Sequence, residues 1–350
     1  MQRKSGRASS GHLSRLKPVE HDPLTEYGLP SKGEKRLLST KVQEAYYTKI
    51  IERYLAFCTE AGDREGLQKQ FARLAIADRG SSAAASPLPP PATSPSKLRP
   101  LPSNDKVSQI FSALRKLREA LVASHRTDDF ATQVYLFSAR LGILASSYET
   151  YYPSLLHLLR RHQQAQRQQR QQQAHIPPSA TTPTSTGRPS SSSSSSSQPN
   201  NSGVSSSSAS GDLTSVEYHE VTAYLVLDAA CRRADLAEAY ALRHAHRLRD
   251  PKIDVILASL VGDNWVVWRR VKKQVDGYRV RLMEFAEPQV RAHTLKAFGR
   301  AHLSVPLGVL EAQTGASWAE LRERFGVGWE LGEGEGDERR VVIRKVQARS

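Results

Sequence analysis

Three short patterns carry residue types that could do chemistry, and none has the spacing that its chemistry needs. Residues 332–337 are rich in glycine but lack the G-x-G-x-x-G spacing, and their acids would repel a phosphate. His219 precedes a glutamate but lacks the second histidine of a zinc-binding helix. His244 and His246 could begin a metalloprotease pattern, but its serine is missing. We therefore predict two solvent-facing histidines, no enzymatic activity, no cofactor and no metal.

The two cysteines, Cys58 and Cys231, both fall on apolar faces of predicted helices. No neighbouring feature would lower a thiol pKa, so we interpret them as small buried hydrophobic residues and not as nucleophiles. Two thiols are also too few for a disulfide framework or a cysteine-based zinc module.

Positive charge next to aromatic residues is concentrated on one predicted helix. The chain has 50 Lys and Arg against 35 Asp and Glu, a net charge of +15, which is compatible with a polyanionic partner. The helix either forms a face that follows phosphates, or exposes a solvated basic face while its apolar side carries the tryptophans. The cations are Arg269, Arg270, Lys272 and Lys273, and the apolar residues between them are Trp265, Trp268 and Val271.

Composition divides the chain into folded and unfolded stretches. Apolar residues make up 39%, and polar stretches that cannot bury enough apolar surface account for the low value. Four arginines near a Gln tract, Arg160, Arg161, Arg167 and Arg170, are expected to form a mobile basic patch. The expected order is a disordered basic tail at 1–38, a helical pair at 39–78, a Pro/Ser/Ala linker at 79–102, helical repeats at 103–162, a disordered Gln/Ser-rich insert at 163–212, helical repeats at 213–302 and a C-terminal module at 303–348.

Helix signals recur along the predicted folded stretches. Apolar residues follow each start signal at three- and four-residue spacing. Short helices joined by small turns are typical of an α-solenoid of antiparallel helix pairs, so we predict a mainly α fold of that kind. The start signals are capping boxes at Thr40 and Thr214, aspartates at 128 and 235, Pro251, and the turn Gly262–Asn264.

The last fifty residues change from repeated helices to a mixed pattern. Ser304 is expected to cap a short helix at 305–313, and a capping box at Ser317 opens a second helix at 318–325. A Gly-rich acidic loop then precedes a β-branched run at 341–343. A helix pair followed by a two-strand hairpin is the order of a winged helix.

The charges of this predicted winged helix argue against DNA binding. Its second helix, which would enter the major groove, carries two arginines and two glutamates, and five acids occupy the wing. We expect a protein-docking edge instead, because the final strand ends a small sheet and can be extended by a strand of a neighbour. The residues assigned to this edge are Trp318, Arg322 and Val342.

Helical repeats that lead into a C-terminal winged helix resemble a PCI domain. The resemblance is carried by Ala-Asp-Leu-Ala-Glu-Ala-Tyr-Ala-Leu at 234–242, by Gly-Asp-Asn-Trp-Val-Val-Trp at 262–268 and by the segment 301–330. It covers about 214–346 well, and 40–162 only by helical character. The chain is similar to the branch that holds the small signalosome subunit, the Nin-one-type proteasome-lid subunit and subunit k of translation initiation factor three, to which GANP-type proteins are related.

This resemblance implies a non-catalytic scaffold subunit that docks onto other PCI-domain subunits of a large complex. The alternative is an RNA- or DNA-associated adaptor of the GANP-type mRNA-export class, which would use the basic helical face for weak RNA binding. Neither function involves a small-molecule substrate. No apolar run approaches the ~18 residues of a membrane span, and residues 1–17 lack an apolar signal segment. We expect a protein of the cytoplasm and nucleus.

Overall fold

The computed structural model describes residues 22–62, 66, 103–174, 212–332 and 339–344 of the 350-residue chain. These residues belong to two compact units, one made of residues 22–66 and 103–126 and the other of residues 127–344. Both units are helical, and the three short strands described lie near the C-terminus. The prediction of a mainly α fold is therefore confirmed.

The first unit is built on two long helices, α1 (Thr40–Ala61) and α2 (Ser103–Ala123), which pack together. Two 3-10 turns, Pro30–Lys32 and Arg36–Leu38, contact α2. Gly62 follows α1 with a φ of +77°, a conformation that favours glycine and ends the helix. The predicted linker at 79–102 lies outside the described residues.

The prediction of a disordered tail over residues 1–38 is wrong for residues 22–38. Leu24 is 3% exposed and Leu37 is 0% exposed. Tyr46 of α1 donates its hydroxyl hydrogen to the carbonyl oxygen of Leu24 at 2.8 Å. The polar composition concealed two leucines that the helices can bury, and burying each one stabilises the fold by roughly 1.5–3 kcal/mol.

The predicted capping box at Thr40 is also wrong. Ser39 is the N-cap residue and Thr40 is already helical. Gln43, which would have reached back to the helix start, is fully buried. Its Nε2 donates to the carbonyl oxygen of Leu37 at 2.9 Å and to Oγ of Ser124 at 3.0 Å. A buried amide has to be paired, and here the tertiary structure supplies the partners.

The second unit contains ten α-helices among its described residues. Neighbours in sequence pack as pairs, α3 on α4, α5 on α6 and α7 on α8, and α9 packs on both α3 and α5. The helices are α3 (Asp129–Leu144), α4 (Tyr148–Ala174), α5 (Ser215–Leu227), α6 (Leu236–Ala245), α7 (Pro251–Val261), α8 (Trp265–Lys272), α9 (Gly277–Met283), α10 (Glu287–Ala301), α11 (Leu307–Thr314) and α12 (Trp318–Phe325).

Several helix starts of the second unit match the sequence signals. Thr214 forms a complete capping box with Glu217 at the start of α5. The side chains of Asp128 and Asp235 accept backbone hydrogen bonds at the starts of α3 and α6. Pro251 occupies the first position of α7, where its missing amide hydrogen is not needed. These signals act within one turn of the chain, so the sequence is enough to locate them.

The predicted insert at 163–212 begins too early. α4 continues without interruption to Ala174. Glutamine and arginine are good helix formers, so the helix propagates through the Gln tract after its apolar face has ended. The arginines at 160, 161, 167 and 170 are therefore helical, and the expectation of a mobile basic patch is corrected for them. Residues 175–211 lie outside the described part of the chain.

Gly142 allows α3 and α4 to approach closely. A Cβ added at this position would lie 2.8 Å from the backbone nitrogen of Tyr151 and 3.0 Å from its Cβ. Both of those atoms belong to a rigid helix, so neither can move aside cheaply. The glycine therefore costs helix propensity in α3 but permits the contact between the two helices.

α5 runs directly into a π-helical turn, Asp228–Arg232, which surrounds a buried carboxylate. Asp228 is 0% exposed. Its Oδ1 accepts the hydroxyl hydrogen of Tyr151 at 2.6 Å, and Arg232 donates to Oδ1 at 2.6 Å and to Oδ2 at 3.0 Å. Arg232 also lies over the ring of Tyr148 at 3.8 Å. This network joins α4 to the end of α5.

Three strands follow α10 and form a small antiparallel sheet in the order β1-β3-β2. They are β1 (Ser304–Pro306), β2 (Glu330–Leu331) and β3 (Arg340–Val342). The predicted helix at 305–313 is wrong at its start, because Ser304–Pro306 is a strand and α11 begins at Leu307. Val305 is β-branched and pairs with Val341, so burial between the strand and the helices outweighs the serine cap signal.

The sheet and α10–α12 enclose their own small core. Trp265 of α8 packs against this core from outside, with its ring centroid 6.3 Å from that of Phe298. Its Nε1 donates to Oε1 of Gln313 at 3.2 Å, which ties α8 to α11. The buried members of the core are Leu295, Phe298, Val305, Leu310, Ala316, Leu321 and Val341.

Candidate functional site

The basic helix identified in the sequence is α8. It begins where the side chain of Asn264 accepts a hydrogen bond from the amide of Val267 at 3.1 Å. Trp268 and Val271 are buried and Trp265 is half-buried, so the apolar side of α8 faces the protein. The cations are thereby directed to the flanks and the outer side of the helix.

The four predicted cations divide into two pairs. Arg269 and Lys272 are half-buried and already bonded within the protein. Nη1 of Arg269 donates to the carbonyl oxygen of Ala312 at 2.7 Å, and Nζ of Lys272 lies 2.6 Å from a glutamate of α10. Arg270 and Lys273 are exposed and form no hydrogen bond or ion pair with the described residues. A partner could contact Arg270 and Lys273 without displacing a bond within the described residues, whereas Arg269 and Lys272 would have to give one up.

A further arginine, Arg291 of α10, joins Arg269 at the end of α11. Its Nε donates to the carbonyl oxygen of Thr314 at 2.9 Å and its Nη2 to that of Gly315 at 3.3 Å. Cations at a helix C-terminus interact favourably with the helix dipole. Burial lowers the pKa of the Arg269 guanidinium, Glu287 opposes this shift and Arg291 adds to it. Arg291 carries no local sequence signal, because it stands apart from the Arg and Lys pairs.

These residues line an open groove of about 1190 Å³ between α8–α10 and α11–α12. Six cations and three carboxylates line it, so the groove carries a net positive charge. The cations are Arg269, Arg270, Lys272, Lys273, Arg291 and Arg324, and the carboxylates are Glu284, Glu287 and Glu320.

Each carboxylate of this basic groove is already engaged by a cation. The pairs are Glu284 with Arg281 at 2.7 Å, Glu287 with Lys272 at 2.6 Å and Glu320 with Arg324 at 3.0 Å. The exposed Arg270 and Lys273 therefore determine the charge that a partner would meet, and this charge is positive.

The assignment of Val342 to a sheet edge is wrong. β3 is the middle strand, and Val342 has Ser304 of β1 on one side and Glu330 of β2 on the other. The sequence predicts only two strands here, because the β1 segment follows a helix start signal at Ser304. With a third strand present, the last strand becomes central, and the edges of the sheet are β1 and β2.

The two edges differ in the backbone hydrogen atoms that they offer. Leu307 donates its amide hydrogen to the carbonyl oxygen of Arg339, so the backbone of Leu307 faces β3. Backbone groups alternate in direction along a strand, so the nitrogen of the preceding residue, Pro306, faces outward. Proline has no amide hydrogen to offer there. Gly332 donates to the carbonyl oxygen of Arg340 at 2.8 Å, so the preceding residue, Leu331, directs its amide outward from β2. β2 therefore directs an amide hydrogen outward that an added strand could accept, whereas proline blunts the β1 edge.

Trp318 and Arg322, the other residues assigned to the docking edge, are on α12 and not on a strand. Trp318 is half-buried against the small core, and its amide donates to Oε1 of Glu311 at 2.7 Å. Arg322 is exposed. The structure therefore does not bring the three predicted edge residues together on one strand.

The residues considered for catalysis are not arranged for it in the described part of the chain. Cys231 is buried, and burial raises the pKa of its thiol far above the usual range. Cys58 is half-buried. His244 is exposed, but His246 is half-buried and its Nδ1 lies 2.8 Å from the hydroxyl of Tyr218, which corrects the prediction of two solvent-facing histidines.

Neither a metal-binding cluster nor a membrane-spanning helix is present among the described residues. No group of three or more His, Cys, Asp or Glu side chains there is placed to hold a metal ion. No helix in the same residues has both the length and the apolar character that crossing a bilayer requires.

Comparison of the sequence with models of known protein families gives no match, and a search of curated proteins gives no significant match.

Proposed function

We propose that this protein is a non-catalytic scaffold subunit of the PCI type, in which helical repeats carry a C-terminal winged helix that docks onto a neighbouring subunit. The element order from α10 to β3 is helix, strand, helix, helix, strand, strand, and the sheet order is β1-β3-β2. This order and topology fit a winged helix, and the sequential helix pairs before it fit helical repeats.

The observation that carries the proposal is the difference between the two edges of the small sheet. β2 directs the amide of Leu331 outward, whereas β1 has Pro306 at an outward position. A partner strand added at β2 would gain main-chain hydrogen bonds, which supply affinity in strand addition. The proposed docking edge is therefore β2, and not the strand of Val342 that the sequence predicted.

The proposed partners are other PCI-domain subunits of a signalosome, proteasome-lid or translation-initiation complex in the cytoplasm or nucleus. The second helix of the winged helix supports a protein partner more than DNA. It carries two arginines and two glutamates, and Arg324 is paired with Glu320 at 3.0 Å. A charge-balanced helix has little to offer a phosphate backbone.

The test compares two substitutions at one position. Leu331→Pro removes the outward amide hydrogen, whereas Leu331→Ala removes similar apolar contact and keeps that hydrogen. Tagged full-length variants would be purified from cells after nuclease treatment, and co-purified proteins quantified by mass spectrometry. We expect stoichiometric partners to be lost from the proline variant and kept by the alanine variant. Equal recovery with both variants would refute docking through β2.

The basic groove supports a second candidate, the nucleic-acid adaptor. Arg270 and Lys273 are exposed and unpaired within the described part of the chain, and Arg324 lines the same groove. The matched variants are Arg270→Glu/Lys273→Glu and, as a control outside the groove, Lys296→Glu/Arg300→Glu. If the groove binds RNA, only the first variant weakens binding of a labelled single-stranded RNA in an anisotropy titration. Equal affinities would discard this candidate.

A further inference from the structure

A second cleft, of about 430 Å³, lies between the C-terminal half of α4, the first turn of α5 and the end of α6. Three arginines line it. Arg167 and Arg170 lie on α4, and Arg247 follows His246 at the end of α6. No carboxylate is among the described residues that line this cleft. It differs in this respect from the basic groove, where every glutamate is paired with a cation.

The α4 wall of the cleft is a regular helical stripe. Its residues are at positions 163, 166, 167 and 170, which share one face of an α-helix. On a helix that packs against a core this stripe would be apolar, but here it reads Gln, Gln, Arg, Arg. The stripe therefore presents hydrogen-bond donors and positive charge where packing against protein would require neither.

Tyr218 and His246 line the cleft and belong to an aromatic cluster that also contains His162. The hydroxyl of Tyr218 lies 2.8 Å from Nδ1 of His246, and the ring of His162 lies 4.5 Å from that of Tyr218. Gln166 places its Nε2 2.8 Å from Nε2 of His162. Burial lowers the pKa of both histidines, and Asp212 opposes the shift at His162. These contacts fix the α4 stripe relative to α5 and α6.

We propose that this cleft binds a small polyphosphate ligand, with the guanidinium groups of Arg167, Arg170 and Arg247 around its phosphoryl oxygens. Guanidinium forks match the geometry of phosphate oxygens and can bind them with two parallel hydrogen bonds. The volume falls in the range of pockets for small ligands, roughly 300–1,000 Å³. A bound anion would also offset the mutual repulsion of three arginines that share the cleft with no carboxylate among its described lining residues.

The test is isothermal titration of the full-length protein, in phosphate-free buffer at ~150 mM salt, with inorganic tripolyphosphate and separately with ATP. Both probes are expected to bind the unmodified protein. If ATP binds more tightly than tripolyphosphate, the base adds contacts in the cleft. If the two bind equally, the phosphates alone account for the affinity. Arg167→Gln/Arg170→Gln is expected to raise Kd about tenfold or more, because hydrogen bonds between charged groups are the strong ones.

The matched control is Arg160→Gln/Lys296→Gln, which removes the same charge from exposed positions outside the cleft. Its Kd is expected to stay within about twofold of the unmodified protein, because these charges do not line the cleft and salt screens their longer-range effect on the ligand. Circular dichroism would establish that every variant keeps its helices. Absence of binding by both probes would overturn the proposal, as would equal weakening by the control. Binding of single-stranded RNA that depends on Arg167 and Arg170, without binding of either probe, would also overturn it in favour of a nucleic-acid backbone.

Discussion

The guanidinium of Arg269 donates a 2.7 Å hydrogen bond to the carbonyl oxygen of Ala312 and thereby joins α8 to the end of α11. The same side chain leaves no space for a Cβ at Gly315, because such an atom would lie 2.7 Å from Nη2 of Arg269. Gly315 also has a φ of +62°. The arginine bond and the glycine turn are therefore parts of one contact.

Replacement of Gly315 by alanine is expected to destabilise the second unit through two effects. The positive φ costs about 1–2 kcal/mol for a residue with a Cβ, and Arg269 has to move as well. Gly326→Ala is the matched control, because Gly326 has a φ of +61° and nothing within 4 Å of an added Cβ. Chemical denaturation should show a larger loss in the free energy of unfolding for Gly315→Ala than for Gly326→Ala. Equal losses would mean that the arginine moves without cost.

Trp268→Ala is expected to lower the free energy of unfolding by about 3–5 kcal/mol, the usual cost of emptying a large buried site. Trp268 is 1% exposed. Val266→Ala on the same helix is the control and should change stability by less than about 0.5 kcal/mol, because Val266 is 46% exposed. Urea unfolding monitored by circular dichroism measures both. A small effect at Trp268 would contradict its burial.

Asp228→Asn is expected to destabilise the protein by about 3–5 kcal/mol, because it breaks a buried charge pair and leaves Arg232 without its counter-ion. Tyr151→Phe should cost less, about 1.5–3 kcal/mol, since it removes one hydrogen bond and leaves the ion pair in place. Thermal unfolding of the two variants gives the ranking. The reverse order would show that the tyrosine, and not the arginine, holds the carboxylate.

Acid should weaken the fold partly through Glu220. Burial alone would raise the pKa of this carboxyl, but hydrogen bonds from Arg140 and Tyr224 lower it below its usual value. A lowered folded-state pKa gives stability that is complete above the unfolded pKa of about 4.3 and is lost as the pH falls through the folded value.

Glu220→Gln should therefore cost about 1–2 kcal/mol at pH 7 and give a flatter stability curve below about pH 4.3. Denaturant midpoints between pH 7 and pH 3 measure this dependence. Glu323→Gln, at an exposed position, is the control and should leave the curve unchanged. A Glu220→Gln curve as steep as that of the unmodified protein would contradict the assignment.

Most signals that act within one helical turn were predicted correctly from the sequence. The capping box at Thr214 and the caps at Asp128 and Asp235 all depend on residues three positions apart. The signals that failed had a competing partner far along the chain. Gln43 pairs with Ser124, and Val305 pairs with Val341, and neither partner can be recognised by spacing.

The sequence by itself determined the helical class, most helix starts and the presence of a basic, tryptophan-containing helix, because periodicity and caps are local properties of the chain. Only the tertiary structure decided which cations face outward, which strand is central and which sheet edge directs an amide hydrogen outward. All three depend on contacts between residues far apart in sequence. Arg269 is hydrogen-bonded to the backbone of α11, and the pairing of β1 with β3 makes β3 the middle strand. A side chain's availability is set by what packs against it, and the packing partners are distant in sequence.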